Sequence, residues 1–281
     1  MRKIGFIDYY LSEWHANNYP KWIAQANETL GTDYQVAYAW AECDISLYDG
    51  KSSAQWCETY GATLCATLEE LCEKSDVLLI LATSDPDKHL PYAEIALRYG
   101  KPTYIDKTFA PDAATAAHIF ALAEQYGTPL FSSSALRYAD ELEKAVGCTA
   151  IQLTGGGRDL AEYIVHPLEM LVKALGTGAK NILATPVCGT TLFRISYADG
   201  RCAAVTFGSA LPYTFYADCA DGKSRWQRVT SDFFGTLLRE ILSFYESGKP
   251  PVDAAQTLEI MKLRDGALAA VAAPEQTITL S

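Results

Sequence analysis

The sequence predicts an open, doubly wound α/β sheet of parallel strands, followed by an α+β unit with a mostly antiparallel open sheet. Three observations predict it. In the first half, short apolar runs alternate with helix-length amphipathic segments, which implies parallel pairing through crossover helices. The run 76–82, DVLLILA, is apolar without alternation, as befits a central strand covered on both faces. In the second half, strand-like segments follow one another across Asp199-Gly200 and Asp221-Gly222, the signature of hairpins and so of antiparallel pairing.

The elements follow in order. Arg2–Asp8 is a strand of β-formers, and 19–30 has helical spacing (Trp22, Ile23, Ala26, Leu30), with Pro20 in its first turn and Gly31 as its stop. Residues 34–40 form a second strand, Ser53–Tyr60 a helix ended by Gly61, and Thr67-Leu68-Glu69-Glu70 a capping box that opens a helix ending near Lys74. The 76–82 strand is followed by a helix over 91–99, a strand at Thr103–Ile105, a helix over 112–126 stopped by Gly127, and a strand over 130–133. Beyond this the pattern changes. A helix over 162–175 precedes strand-like segments at 194–197, Cys202–Phe207, 213–219 and 224–229, and two helices, 233–246 and Ala254–Ala272, close the chain. The division is a doubly wound α/β domain over 1–132 and an α+β domain over 133–281.

At 281 residues, two domains are the expectation. The 23 Lys+Arg against 34 Asp+Glu leave a net charge of −11, so the chain has no global attraction for a phosphate backbone and nucleic acid is excluded as a partner. No run approaches the 18 or so apolar residues of a membrane helix, and Ile4–Ile7 is too short for a signal-peptide core. A cytoplasmic protein is expected. The eight cysteines contain no C-x-x-C pair and read as reduced thiols, mostly buried, with no metal site.

In a doubly wound sheet, ligands sit beyond the carboxyl ends of the strands, where the order switches. The residues there are Asp8 and Tyr9, the stretch from Trp40 to Glu42, Thr83, Ser84 and Asp85, and Asp106 with Lys107. A Lys at that edge holds a substrate oxygen or donates a proton, or else is a surface Lys paired with Asp106. His166 has Glu162 four residues before it and Glu169 three after, on one helix face. An imidazole between carboxylates suits proton transfer from an alcohol; the plainer alternative is a helix-surface His with ordinary partners. Gly155-Gly156-Gly157 either admits a ligand closely or forms a loop. His89 opens a helix after the central strand, where amides face an anion, unless it is a surface His beside a cap.

Taken in order, these pieces resemble the Gfo/Idh/MocA family of oxidoreductases. The resemblance rests on Asp76-Val77-Leu78-Leu79-Ile80-Leu81-Ala82-Thr83, then His89, then 93–102 (AEIALRYGKP), then Asp106-Lys107-Thr108, where the family has Glu-Lys-Pro. It continues in Gly155-Gly156-Gly157 with Glu162, His166 and Glu169, where the family has Asp, His and Asp. The resemblance implies a Rossmann-type first domain and NAD or NADP as cofactor, with Asp8, Tyr9, Ser12, Glu42, Thr83, Ser84, His89 and Asp106 around it. It implies that Lys107 and His166 flank the reacting carbon of a small sugar- or cyclitol-like substrate, His166 as general base and Lys107 on the developing oxyanion, with Glu162 and Glu169 orienting substrate or imidazole. A homodimer or dimer of dimers is the expected assembly.

The sequence departs from the family at the dinucleotide loop. Counted back from His15, the positions of G-x-G-x-x-G hold Ile7, Tyr9 and Ser12. Glycines there allow the tight turn and the close approach of the pyrophosphate, and an aromatic side chain at Tyr9 opposes the second. This leaves two competing readings beside the dehydrogenase. One is a relative that binds a sugar-like ligand or a partner in the same cleft without a nicotinamide cofactor. The other is a structural subunit acting through the open sheet.

Overall fold

The computed structural model describes residues 1–219 and 221–280; Ala220, beside the second predicted Asp-Gly turn, lies outside the described residues. The strands are β1 (Arg2–Asp8), β2 (Tyr34–Ala41), β3 (Thr63–Leu64), β4 (Val77–Ile80), β5 (Thr103–Ile105), β6 (Leu130–Phe131), β7 (Ala150–Gly155), β8 (Ala179–Val187), β9 (Thr190–Tyr197), β10 (Cys202–Phe207), β11 (Thr214–Asp218), β12 (Ser224–Arg228) and β13 (Thr277–Thr279). The helices are α1 (Trp14–Leu30), α2 (Ser53–Tyr60), α3 (Leu68–Lys74), α4 (His89–Ala96), α5 (Ala113–Tyr126), α6 (Leu160–Tyr163), α7 (Val165–Leu175), α8 (Phe233–Ser247) and α9 (Ala254–Ala272). The chain forms two compact units, Met1–Ser133 with Phe234–Asp253, and Ser134–Phe233 with Ala254–Ser281. The first unit therefore takes in all but the first residue of α8, a return that a single cut at 132/133 does not contain.

The first unit is a six-stranded sheet in the order β3-β2-β1-β4-β5-β6, with every pair parallel. The order reverses between β1 and β4. All four residues of β4 are buried, so both faces of the sheet are covered at its centre, as the unalternated run requires. Gly5 in β1 permits this packing, because a Cβ there would lie 2.4 Å from Ser75 Oγ and 2.6 Å from Leu71 Cδ2. Helix α8 is fastened to this unit by aromatic contacts and a hydrogen bond. Phe234 stacks on Trp22 at 4.8 Å and 7°, Phe244 meets Phe131 edge-on at 4.9 Å, and Tyr245 donates from its hydroxyl to the Leu78 carbonyl at 2.7 Å. Helix α1 begins at Trp14, five residues before the predicted start, and Pro20 lies inside it. Helix α3 has only half of the predicted capping box. Thr67 Oγ1 accepts from Glu70 N at 3.1 Å, but Glu70 accepts from Ala66 N.

The second unit is a seven-stranded sheet, β12-β11-β7-β10-β9-β8-β13. All its pairs are antiparallel except β7 with β10. Burial alternates along β9 and β10, the mark of a sheet packed on one face. Helices α7 and α9 contribute Leu168, Leu171, Val172, Ile260, Leu263 and Ala267 to its core. On the sheet there is a hollow of about 500 Å³ lined in part by Gln152, Arg194, Ser196 and Tyr216. The predicted 162–175 helix is two helices. Asp159 caps α6, the chain turns at Ile164, and Pro167 falls in the first turn of α7, where its missing N–H costs nothing. Of the eight cysteines, all free, Cys57, Cys65, Cys72 and Cys148 are buried, while Cys188 and Cys202 are exposed.

Candidate functional site

The strand order switches at the carboxyl ends of β1 and β4, and Asp8 braces them together. Its Oδ1 accepts from Tyr9 N at 2.7 Å and from Ala82 N at 3.0 Å. The second contact holds Ala82 in a left-handed conformation, φ 47°, which for a non-glycine residue costs about 1 kcal/mol or more. Asp8 is 1% exposed, and its Oδ2 is buried with no hydrogen-bond partner. Burial, together with the Glu13 carboxylate, pushes the Asp8 pKa well above the usual carboxylate range, against the opposing pull of the two amides. Asp8 is therefore a brace. Ile7, the first glycine position in the sequence count, is fully buried inside β1, so the turn begins only after Asp8.

Glu13 closes that turn. It is the N-cap of α1. Its Oε2 accepts from His15 N at 2.8 Å and from the Thr83 hydroxyl at 3.0 Å, and its Oε1 accepts from Ala16 N. A side-chain acceptor on the second and third amides of a helix is the capping arrangement, and the acid lies at the positive end of the helix dipole. Ser12 is held to the following loop, donating to Asp49 Oδ2 at 2.9 Å, while its carbonyl accepts from Ser46 Oγ at 2.5 Å.

Asp106 and Lys107 follow β5. Asp106 is bound to His15 Nδ1. It also accepts from the Tyr19 hydroxyl at 3.2 Å and from the Lys107 amide at 2.7 Å. Burial opposes ionisation of Asp106, but the His15 imidazole and Lys107 outweigh it and hold its pKa below the ordinary carboxylate range. Lys107 is 8% exposed, its ammonium donates to the Thr83 carbonyl at 3.3 Å, and the Lys107–Thr108 peptide is cis. Asp8, Thr83, Asp106 and Lys107 thus belong to one buried polar cluster, with Glu13, His15 and Tyr19 as members that sequence reasoning missed. Glu13 precedes His15 by two residues, but the predicted helix began too late to make it a cap.

The remaining first-unit candidates lie elsewhere. Glu42 takes the Lys88 ammonium at 2.6 Å and the Tyr92 hydroxyl at 2.8 Å, and Lys88 holds its pKa down. The Tyr9 ring lies 4.7 Å from the same ammonium. Ser84 is exposed at the end of the β4 segment. His89 is fully buried, with its ring nitrogens 3.0 Å from the Phe109 carbonyl and 2.6 Å from the Leu81 carbonyl. That makes it a strut between two chain segments. Burial lowers its pKa.

In the second unit His166 is half-buried, and its Nδ1 lies 2.7 Å from Ser134 Oγ. The rings of Tyr163 and Tyr213 meet it edge-on at 5.7 and 5.9 Å. The two glutamates pair with arginines. Arg158 reaches both oxygens of Glu162 at 2.8 and 3.0 Å, and Arg137 reaches buried Glu169 at 2.8 Å. The triple glycine serves packing. A Cβ on Gly156 would lie 2.4 Å from the Gly208 carbonyl oxygen, and one on Gly157 would lie 2.1 Å from the Tyr163 ring.

No family model matches the chain. A 60-residue stretch is 38% identical to an uncharacterized oxidoreductase, YhhX, of Escherichia coli; it covers 21% of this chain and 17% of that protein. Solved structures match over nearly the whole length. A probable dehydrogenase from Thermotoga maritima superposes with a TM-score of 0.79 at 12% identity, over 99% of this chain and 98% of that one. The myo-inositol dehydrogenase of Lactobacillus casei, in complex with NAD(H) and myo-inositol, matches with a TM-score of 0.79 at 11% identity, over 100% and 97%. A UDP-N-acetylglucosamine 3-dehydrogenase from Acidithiobacillus ferrooxidans matches with a TM-score of 0.77 at 14% identity, over 98% and 99%. The chain has the fold of the Gfo/Idh/MocA dehydrogenases.

In a Rossmann-type fold the dinucleotide diphosphate sits on the amides that open the helix after the first strand. Here the Glu13 carboxylate takes those of His15 and Ala16, and no glycine occurs between Gly5 and Gly31. As they stand, these residues do not fit a diphosphate at that seat. Among the described residues no helix is long and apolar enough to cross a membrane, and no cluster has the makings of a metal site.

Proposed function

We propose that the protein is an oxidoreductase that interconverts CH–OH and C=O groups on a small polyhydroxylated, sugar- or cyclitol-like substrate, with NAD or NADP as its redox partner. The observation that carries this reading is Lys107. It is an ammonium at the carboxyl end of β5, largely withdrawn from water, tied to the Thr83 carbonyl and backed by Asp106. An ammonium so placed stabilises the oxygen of a substrate alkoxide. In this reading His166 takes the hydroxyl proton. With Nδ1–H donating to Ser134 Oγ, Nε2 keeps its lone pair and acts as the base. Glu162 and Glu169, each paired with an arginine, orient substrate or imidazole.

The Glu13 cap favours a second reading, in which the chain binds such a ligand without a nicotinamide cofactor. Two measurements separate them. The first reading expects an absorbance change at 340 nm when the protein is given NAD or NADP with inositols or aldoses, and this would exclude the second. Calorimetry showing no binding of NAD, NADH, NADP or NADPH would end the first. Self-association of the chain belongs to both readings and is checked by sedimentation.

A further inference from the structure

The mismatch at the start of α1 has a specific form. The anion seat is filled from within the chain. Glu13 makes three contacts there, two with helix amides and one with the Thr83 hydroxyl, so both of its oxygens are engaged. We propose that Glu13 is a tethered anion that keeps the diphosphate seat closed, so that a dinucleotide binds there only by displacing this side chain.

Four observations support the proposal. A carboxylate and a phosphate oxygen present the same chemistry to a pair of backbone N–H groups, so they compete for one set of donors. Withdrawal of the backbone is resisted, because the Ser12 hydroxyl and carbonyl are both bound to the 46–49 segment; only the side chain of Glu13 is left to move. The Thr83 hydroxyl holds that side chain from the β4 end, across the switch point where a ligand would enter. Finally, the Asp8 carboxyl beside the seat has one buried oxygen without a hydrogen-bond partner, and the Glu13 carboxylate is close enough to push its pKa up, so Glu13 itself already supplies the negative charge at the seat.

The inference rests on the nicotinamide reading, and the test separates the two. The full-length protein is titrated with NADH, followed by fluorescence, as wild type and as Glu13→Ser, Glu13→Gln and Glu13→Asp. Serine shortens the side chain, removes the charge and remains a favoured N-cap; aspartate keeps both charge and cap. Thermal melts confirm folding, and Glu13→Gln decides the matter if Glu13→Ser does not fold. The proposal expects Glu13→Ser to bind NADH about tenfold or more tightly than wild type, Glu13→Gln to tighten in the same direction, and Glu13→Asp to stay within about twofold of wild type. Equal affinity in all four proteins overturns the proposal and leaves the nicotinamide reading standing. No binding by any of them overturns the nicotinamide reading, and the proposal with it.

Discussion

The Ser134 hydroxyl lies 2.7 Å from Nδ1 of His166, so a serine 32 residues away in sequence helps to orient the imidazole. If Nδ1–H donates to Ser134, the hydroxyl also stabilises the imidazolium formed when Nε2 takes a proton. Ser134→Ala is then expected to lower kcat by about tenfold, the scale of one hydrogen bond to a charging group. It also moves the acidic limb of the pH–rate profile to lower pH, because the imidazolium loses a partner. An unchanged kcat and limb would show that Ser134 only packs against the ring.

Arg137 and Glu169 form an ion pair with side chains 7% and 3% exposed, and Arg137 also donates to Gln256. Removing one member of a buried pair leaves the other charge uncompensated, at a cost of about 3–5 kcal/mol. Arg137→Ala is expected to fall in this range in urea unfolding. A loss near that of an exposed pair, about 1 kcal/mol or less, would contradict the burial of the pair.

Asp8 provides a pH-dependent test. Its folded pKa is raised, so the folded chain holds a proton that the unfolded chain gives up near its ordinary value of about 3.9. By linkage, stability falls as pH rises from that value toward the raised folded one. Asn at this position never ionises and keeps an acceptor for Tyr9 and Ala82. The stability of Asp8→Asn relative to wild type is therefore expected to rise as pH increases above about 4 and to level off once the raised folded pKa is passed, read by urea unfolding at a series of pH values. A difference that is flat with pH would mean that Asp8 titrates normally.

What the sequence made legible follows from the physics of each element. The DVLLILA run announced a strand covered on both faces, and β4 is one. The glycine stops at Gly31, Gly61 and Gly127 coincide with left-handed caps, because only glycine takes that conformation cheaply. Strands β7 and β8 escaped notice. The first runs into three glycines, and the second carries Asn181 and Pro186, residues depleted in strands. The two-residue β3 has no periodicity to detect. At the site, Lys107 stood out by its place after a strand. Glu13 did not, because its cap is visible only once the helix is started at Trp14; Ser134 and Arg137 did not, because their partners lie 32 residues away, and no local spacing encodes such pairings. The triple glycine carried a signal of close approach, but the neighbour that approaches is the chain itself.

The central proposal is that turnover depends on Lys107 and on His166, and its most direct test is turnover at 340 nm with an inositol or aldose and NAD or NADP. The account expects measurable wild-type turnover and losses of about 10²- to 10⁴-fold for Lys107→Met and for His166→Asn, the range of a positioned acid–base group. The double variant is expected to be little slower than the worse single one, as for residues that act as a unit. No turnover by the wild type, or single variants as fast as it, would contradict the claim.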